Sequence, residues 1–208
     1  AGSFVAGSGA GFNFGASTYD LNAGSSLSVA GLIGITGGAL NFNAGTYNVT
    51  GTTAISSGTA NFLSAASTNL LTLSGGILRG TGTLTASGLF TWSGGQINDS
   101  GTLQANGGMT LSGTTKNLQS HTVNNPGTAS WTSGNFDTGS SGTFNNTGTF
   151  DTNFDGAFLY NQGGTLSQFN NAGIFTKSAG TGSTTFSSLF NNTSTGAVNA
   201  NSGTISFT

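Results

Sequence analysis

The sequence predicts an all-β fold, a single-domain parallel β-solenoid (β-helix) with three short strands in each coil of about 19–25 residues. Three observations lead to this prediction: a repeated motif, an alternation of apolar and polar residues, and turn residues between the alternating segments. A period of this size is typical of solenoids, in which successive repeats stack on one another. The motif, an apolar residue followed by Ser-Gly or Thr-Ser-Gly, recurs at intervals of 19, 19 and 20 residues, beginning at Leu73, Trp92, Leu111 and Trp131.

One complete repeat runs from Gly82 to Ser100 and contains three short segments in which apolar and polar residues alternate. Such alternation, rich in threonine and aromatic residues, predicts half-buried strands. Ser-Gly, Ser-Gly-Gly and Asp-Ser-Gly lie between the segments and suit tight corners. Three strands and three corners make one coil, and stacking pairs each strand with its counterpart about 4.8 Å along the axis. The residues expected to point inward here are Leu84, Phe90, Trp92 and Ile97.

The regularity of the repeats divides the chain into two parts. Residues 1–20 are the least regular, and we expect an irregular N-terminal arm or cap there, with a degenerate first coil as an alternative. Residues 21–208 carry the solenoid repeats, and the chain is long enough for about ten coils and roughly 45–50 Å of axial length. Between Gly51 and Leu73 the register is hard to follow, so we expect one irregular coil there.

The composition excludes several classes of function. The 208 residues include 37 glycines, 16 phenylalanines and no cysteine, and the formal net charge is −2. A glycine-rich chain is often disordered, but disorder usually goes with high charge and few aromatic residues. So small a charge gives no electrostatic attraction for nucleic acid, and no apolar run approaches the ~20 residues of a membrane span. We therefore expect no nucleic-acid partner, no membrane span, no disulfides and no cofactor, and we find no basic segment of a signal peptide at the start.

Three stretches of the sequence resemble repeats of large secreted bacterial β-solenoid proteins. They are Trp-Ser-Gly-Gly-Gln-Ile from Trp92, Phe-Asn-Asn-Ala-Gly-Ile-Phe-Thr-Lys from Phe169, and Asn-Ser-Gly-Thr-Ile-Ser-Phe from Asn201. The proteins in question are adhesin-like or filamentous-haemagglutinin-like, and the resemblance extends over most of the chain from about Leu21. It implies a secreted or cell-surface location and a structural role. The motifs are typical of a kind of repeat and not of an activity.

Asparagine pairs recur at one corner of the later repeats. Side-chain amides stacked in this way donate to and accept from their neighbours, and they satisfy backbone groups that a turn leaves unpaired. A structural amide ladder is therefore expected, and a glycan-binding row is the functional alternative. The residues that would form the ladder are Asn125, Asn146, Asn171 and Asn192.

Large apolar residues recur at equivalent positions and alternate with threonine and serine. Exposed aromatic rows bind sugar rings, whereas inward-pointing rows form a core, and the alternation favours the core. The predicted core stack comprises Trp92, Leu111, Trp131, Phe144, Phe169 and Phe190.

Outward threonines recur as well, and regular threonine rows on a flat β-face can order ice-like water. Threonine is also a good residue for a strand surface in general. Because Gln104, Asn124 and Asp151 interrupt the rows in the sequence, we favour the ordinary strand surface over an ice-binding face.

One segment resembles the first half of a calcium-binding loop. Asp151, Asn153 and Asp155 place oxygen ligands at alternate positions, but the twelfth position is Gln162 in place of the bidentate glutamate. We therefore favour an Asx-rich turn over a metal site. Since the repeat is longer here, we expect a bulge of about four residues in this segment.

Catalysis is not expected, because the chain has few titratable groups. The acids are five aspartates, and the only histidine, His121, is expected to be a surface turn residue. Asp99 and Lys116 lie 17 residues apart, which is shorter than the repeat, so we do not expect them to align on adjacent coils. Enzymes need convergent titratable groups, and no such arrangement is evident.

The sequence therefore predicts a secreted, cell-surface, non-catalytic structural protein, a subunit of a self-assembling filament or of an adhesin stalk. Neither the first nor the last residues include a charged or proline-containing cap, so we expect head-to-tail pairing between copies. A segment of a longer adhesin is an alternative. A second class of function is a module that binds glycan or ice through one flat face, with cell-surface glycans as partners.

Overall fold

A computed structural model describes residues 2–208 as one domain, a parallel β-solenoid of about ten coils. All 26 strands belong to a single sheet, their pairings are parallel, and no helix occurs among the described residues. This confirms the predicted fold class and the predicted number of coils. The first strand of each coil contributes to a sheet face that we call face A, the second to face B and the third to face C.

The first five coils extend from Ser3 to Ile97, and in coils two to four the strands continue around corners. Strand β5 therefore contributes to faces B and C, β6 to all three faces, and β7 to faces A and B. The strands are β1 (Ser3–Ala6), β2 (Gly11–Phe14), β3 (Thr18–Leu21), β4 (Ser26–Val29), β5 (Leu32–Phe42), β6 (Thr46–Phe62), β7 (Ala66–Leu73), β8 (Ile77–Arg79), β9 (Thr83–Ala86), β10 (Phe90–Trp92) and β11 (Gln96–Ile97).

The second five coils extend from Thr102 to Phe207 and have three separate strands each. The strands are β12 (Thr102–Ala105), β13 (Met109–Leu111), β14 (Lys116–Gln119), β15 (Thr122–Asn125), β16 (Thr128–Trp131), β17 (Phe136–Gly139), β18 (Thr143–Asn146), β19 (Thr149–Thr152), β20 (Ala157–Tyr160), β21 (Gln168–Asn171), β22 (Ile174–Lys177), β23 (Ser183–Phe186), β24 (Leu189–Asn192), β25 (Ala197–Ala200) and β26 (Thr204–Phe207).

The core lies inside the coils, and equivalent residues stack in register along it. Leu111 pairs with Trp92 of the coil before and with Trp131 of the coil after, and all three side chains are fully buried. Burial of each large apolar side chain contributes about 1.5–3 kcal/mol to stability. The inward direction predicted for the repeat from Gly82 also holds, because Leu84, Phe90 and Ile97 are buried.

Toward the C-terminal end the core becomes a column of phenylalanine rings. Phe144 and Phe169 stack with ring centroids 5.1 Å apart, and Phe169 and Phe190 stack at 5.3 Å. Phe144 and Phe169 are fully buried, whereas Phe190 in the last coil is only partly buried. Rings on the other faces meet this column edge-on, an arrangement that aromatic pairs favour.

The regular strand pairing begins at Ser3. Strands β1, β2 and β3 pair in parallel with the second coil, so this segment forms the first coil. Of the two alternatives for this segment, an irregular arm or cap and a degenerate first coil, the structure therefore shows a coil. The boundary at residue 21 does not separate two kinds of structure. The small residues of this segment hide the alternation, but backbone pairing needs only an extended chain.

Irregularities occur at three corners. The pairing of β5 with β6 shifts register beside Thr36, which pairs with Ser57, and the pairing of β6 with β7 shifts between Val49 and Thr52. Ser57 and Thr52 lie within Gly51–Leu73, the stretch in which an irregular coil was predicted. The longest repeat has its additional residues at 161–167, between β20 and β21, whereas 153–156 has the same length as the corresponding corner of the preceding coil. The bulge predicted beside Asp151 was therefore wrongly placed, because strand spacing alone does not say which corner is longer.

Candidate functional site

The four asparagines predicted as a ladder lie on face A and form an unbroken chain of amide hydrogen bonds, which we call the inner ladder. Asn125 Nδ2 donates to Asn146 Oδ1 at 2.9 Å, and Asn146 Nδ2 donates to Asn171 Oδ1 at 2.8 Å. Asn171 Nδ2 donates in turn to Asn192 Oδ1 at 2.8 Å. The first three side chains are fully buried and Asn192 is exposed. The inner ladder therefore lies inside the solenoid and offers no surface for a ligand along most of its length.

Each buried amide of the inner ladder also satisfies the backbone at the next corner. Nδ2 of Asn146, for example, donates to the carbonyl oxygen of Ile174 at 3.1 Å. The ladder begins abruptly, since the residue preceding Asn125 in the column is Ala105, and the Oδ1 atom of Asn125 is buried without a hydrogen-bond partner. The inner ladder thus replaces apolar core packing with a polar column that is fully paired except at its first member.

A second chain of amides runs along the outside of face A, and we call it the outer ladder. It consists of the first residue of each asparagine pair and continues onto a glutamine in the preceding coil. Every asparagine amide in it donates to its neighbour toward the N-terminus, at distances of 2.7–2.9 Å. The members, all half-buried, are Gln104, Asn124, Asn145, Asn170 and Asn191.

The outer ladder was not predicted from the sequence, because each asparagine pair was treated as one corner. The signal was present, since alternation along a strand sends two consecutive side chains to opposite faces of the sheet. A doublet repeated in four coils therefore makes two ladders, one buried and one on the surface. The pairing of β15, β18, β21 and β24 keeps both in register without a shift.

A groove of about 350 Å³ follows the outer ladder. Four ladder amides line one side of it, and Thr147 and Ala172 line the other at the corner between faces A and B. A larger groove of about 490 Å³ lies at the same corner in the first three coils, but glycine, alanine and backbone make up most of its walls. The groove beside the outer ladder is therefore richer in side-chain hydrogen-bonding groups.

A row of threonines runs next to the outer ladder on face A. Thr83, Thr102, Thr122 and Thr143 pair in register over four successive coils. The three residues that were expected to interrupt the threonine rows do not lie in this row. Gln104 and Asn124 lie in the neighbouring outer ladder, and Asp151 lies on face B. This threonine row is consequently more regular than the sequence suggested.

Lys116 is fully buried at the corner between faces B and C. Its Nζ atom donates to the carbonyl oxygens of Ser133 at 2.8 Å, Thr114 at 3.0 Å and Gly134 at 3.3 Å. Burial lowers the pKa of Lys116 from 10.5 to about 8. Gly134 has a φ of +71°, and a Cβ atom there would lie 2.1 Å from the Thr114 carbonyl oxygen, so this corner requires glycine. The buried lysine thus acts as an internal cap for corner carbonyls.

The residues of the calcium-like segment are engaged in other contacts. Oδ1 of Asp155 accepts a hydrogen bond from the buried Lys177 ammonium at 2.7 Å, and its Oδ2 accepts one from the Gly182 backbone at 3.0 Å. The Lys177 hydrogen bond is the main cause that lowers the pKa of the Asp155 carboxyl. Asp151 accepts from Ser178 on face B, and Asn153 is exposed. Asp155 is therefore directed to a lysine rather than toward a shared ligand position with Asp151.

Other titratable groups serve structural contacts. His121 is buried, contrary to the surface position predicted, and its Nδ1 atom lies 2.9 Å from the Asn98 carbonyl oxygen. Desolvation lowers the pKa of His121. Asp99 pairs with Arg79 at 2.9 Å and not with Lys116. Within residues 2–208, no three or more histidine, cysteine, aspartate or glutamate side chains cluster as metal ligands would.

Comparisons with known proteins identify no relatives. The chain has no significant match to a protein-family model, to a curated protein sequence or to a solved structure. No helix in the described part of the chain is long and apolar enough to cross a membrane.

Proposed function

We propose that this chain is a non-catalytic structural shaft, a β-solenoid segment of a secreted surface filament or adhesin stalk. The observation that supports the proposal most directly is the continuous stacking of about ten coils, with strand pairing maintained on all three faces. Each interior strand is hydrogen-bonded on both sides, so bending the stack requires breaking several backbone hydrogen bonds together. A rod of this kind holds its two ends at a fixed separation, which is what a stalk requires.

The use of charged side chains supports a structural role. Lys116 and Lys177 are buried as caps of corner carbonyls, and Arg79 pairs with Asp99. An active site instead brings such groups together in a cleft where they meet a substrate. The secreted location is what the resemblance to adhesin-like repeats implies.

The proposal includes end-to-end association of copies. If the last coil of one copy stacks on the first coil of another, the inward-facing side chains of the two copies pack together. Phe190 of one copy then packs on Phe4 of the other, and Val198 packs on Phe12. In a single copy the inward ring of Phe207, which pairs with the fully buried Phe186, is 53% exposed. A contact between two different ends does not close on itself, so repetition gives a filament.

Electron microscopy of the purified protein over a dilution series tests both parts of the proposal. We expect rods whose length increases in steps of roughly 45–50 Å, one unit of about ten coils, as the concentration rises. The variant Val198→Asp, which places an unpaired charge on the last coil, is expected to yield single rods. Single rods of wild-type protein at every concentration would refute association but leave the shaft, whereas compact, non-rod particles would refute the shaft.

Ice binding is a second candidate, and the in-register threonine row is the observation that favours it. Thr83, Thr102, Thr122 and Thr143 repeat at the regular spacing of the coils, about 4.8 Å. An assay of ice recrystallisation tests it, with Thr122→Tyr as the disruptive variant and Thr185→Tyr on face C as the control. Activity that Thr122→Tyr abolishes and Thr185→Tyr preserves would establish this function; an inactive wild-type protein would exclude it.

A further inference from the structure

The outer ladder presents hydrogen-bonding groups whose orientation is fixed in advance. An asparagine amide has two N–H donors and an oxygen with two lone pairs. Within the ladder, Asn124, Asn145 and Asn170 each use one N–H and one lone pair for their neighbours. The second donor and the second lone pair of each remain for a partner. Since the neighbours hold the amide planes in place, little side-chain entropy is lost when a ligand binds.

The groups of the outer ladder repeat along a straight line. The pairing of β15 with β18, of β18 with β21, and of β21 with β24 has no register shift. One amide therefore follows another at the coil spacing of about 4.8 Å. The groove bounded by Thr147 and Ala172 runs beside them and is concave. A concave groove suits a single extended chain better than the flat plane of an ice crystal.

The surface around the outer ladder carries no charge. The outward residues of strands β15, β18, β21 and β24 are threonine, asparagine, glutamine and leucine. An anionic polymer would find no cation on this face to pair with. The surface thus matches a neutral ligand with many hydroxyl groups, each able to donate and to accept.

We propose that the outer ladder is a binding site for a neutral β-1,4-linked hexopyranose chain that lies in the groove along the solenoid axis. A β-1,4 chain is a straight ribbon that advances by roughly one coil spacing per sugar, so successive sugars meet successive amides. Helical glucans curve away from a straight row. The methyl groups of Thr147 and Ala172 supply apolar contact to the faces of the rings. This inference goes beyond the shaft function, which needs only the core and the register of the coils.

Titration calorimetry with neutral oligosaccharides tests the site. The probes are the cello-, chito- and manno-oligomers from disaccharide to hexasaccharide, with malto-oligomers as helical controls and alginate as the anionic control. The groove variant is Asn124→Ser with Asn145→Ser. Its matched control is Asn41→Ser with Asn61→Ser, which shortens another outward amide ladder, the one that begins at Asp20 on face C. Melting curves establish that both variants are folded.

We expect at least one β-1,4 series to bind, with affinity that increases with chain length and does not depend on salt. Because two rungs that would bind the ligand are lost, the groove variant should bind at least about tenfold more weakly. The face C variant should bind as the wild-type protein does. The proposal is overturned if no neutral oligomer binds at millimolar concentration, if both variants weaken equally, or if alginate or malto-oligomers bind better. Inhibition of ice recrystallisation without oligosaccharide binding would also overturn it, in favour of an ice-binding face.

Discussion

The inner ladder yields the sharpest prediction, because the chain supplies a matched pair of adjacent asparagines. Asn146 is fully buried in the inner ladder, and Asn145 is half-buried in the outer one. Replacing either with aspartate keeps the shape of the side chain and exchanges the NH₂ group for an oxygen. The two variants therefore differ chiefly in whether water reaches the altered group.

The cost of Asn146→Asp follows from its contacts. The lost NH₂ group donates to Asn171 Oδ1 at 2.8 Å and to the Ile174 carbonyl at 3.1 Å, so two buried acceptors lose their donor. At about 1–3 kcal/mol for each unpaired buried group, the free energy of unfolding should fall by about 2–6 kcal/mol at pH 7. For Asn145→Asp, the single donor to Asn124 Oδ1 is lost where water can replace it, and we expect a loss of less than about 1 kcal/mol.

Urea denaturation followed by circular dichroism measures both values. Burial should raise the pKa of the new carboxyl at position 146 above its value in the unfolded chain. The folded state then binds the proton more tightly, so the deficit of Asn146→Asp should shrink as the pH falls through this raised pKa, whereas Asn145→Asp should change little. Equal losses for the two variants, or no loss for Asn146→Asp, would show that the buried amides do not form the hydrogen bonds described.

Three further predictions concern the core and the titratable groups. Leu111→Asp should cost several kcal/mol or unfold a coil, because it places an unpaired charge between Trp92 and Trp131; an unchanged melting temperature would mean that Leu111 faces outward. The pKa of Lys116 is about 8 in the folded protein, below the ordinary lysine value of 10.5, so the unfolded chain binds more protons between these two values. The free energy of unfolding should therefore rise by up to about 3 kcal/mol from pH 8 to pH 10, and it should not change over this range in Lys116→Met. Urea titrations at each pH measure both; a rise that persists in the variant would mean that another group causes it. Above pH 10 the raised pKa of buried Tyr47 acts in the opposite direction. Millimolar calcium should leave the melting temperature unchanged, because Asp155 is already paired with Lys177; an increase that Asp155→Ala abolishes would establish a calcium site.

The buried lysines show where sequence patterns stop being informative. Lysine is almost never fully buried unless it is paired, and no pattern in the sequence indicates that Lys116 and Lys177 lie inside. Their partners are mostly backbone carbonyls at corners, and every residue type carries the same carbonyl. His121 was misplaced for the same reason, since its partner is the carbonyl of Asn98 in another coil.

The sequence by itself determined the fold class, the number of coils and the apolar residues that face inward. Those properties depend on alternation along a strand and on the repeat length, and both are local and periodic. Only the tertiary structure decided which corner of the longest repeat carries the additional residues, that one threonine row is regular over four coils, and that each asparagine pair serves two ladders. These properties depend on the alignment of residues some twenty positions apart, and a shift of one residue at a corner moves a side chain to the other face of the sheet.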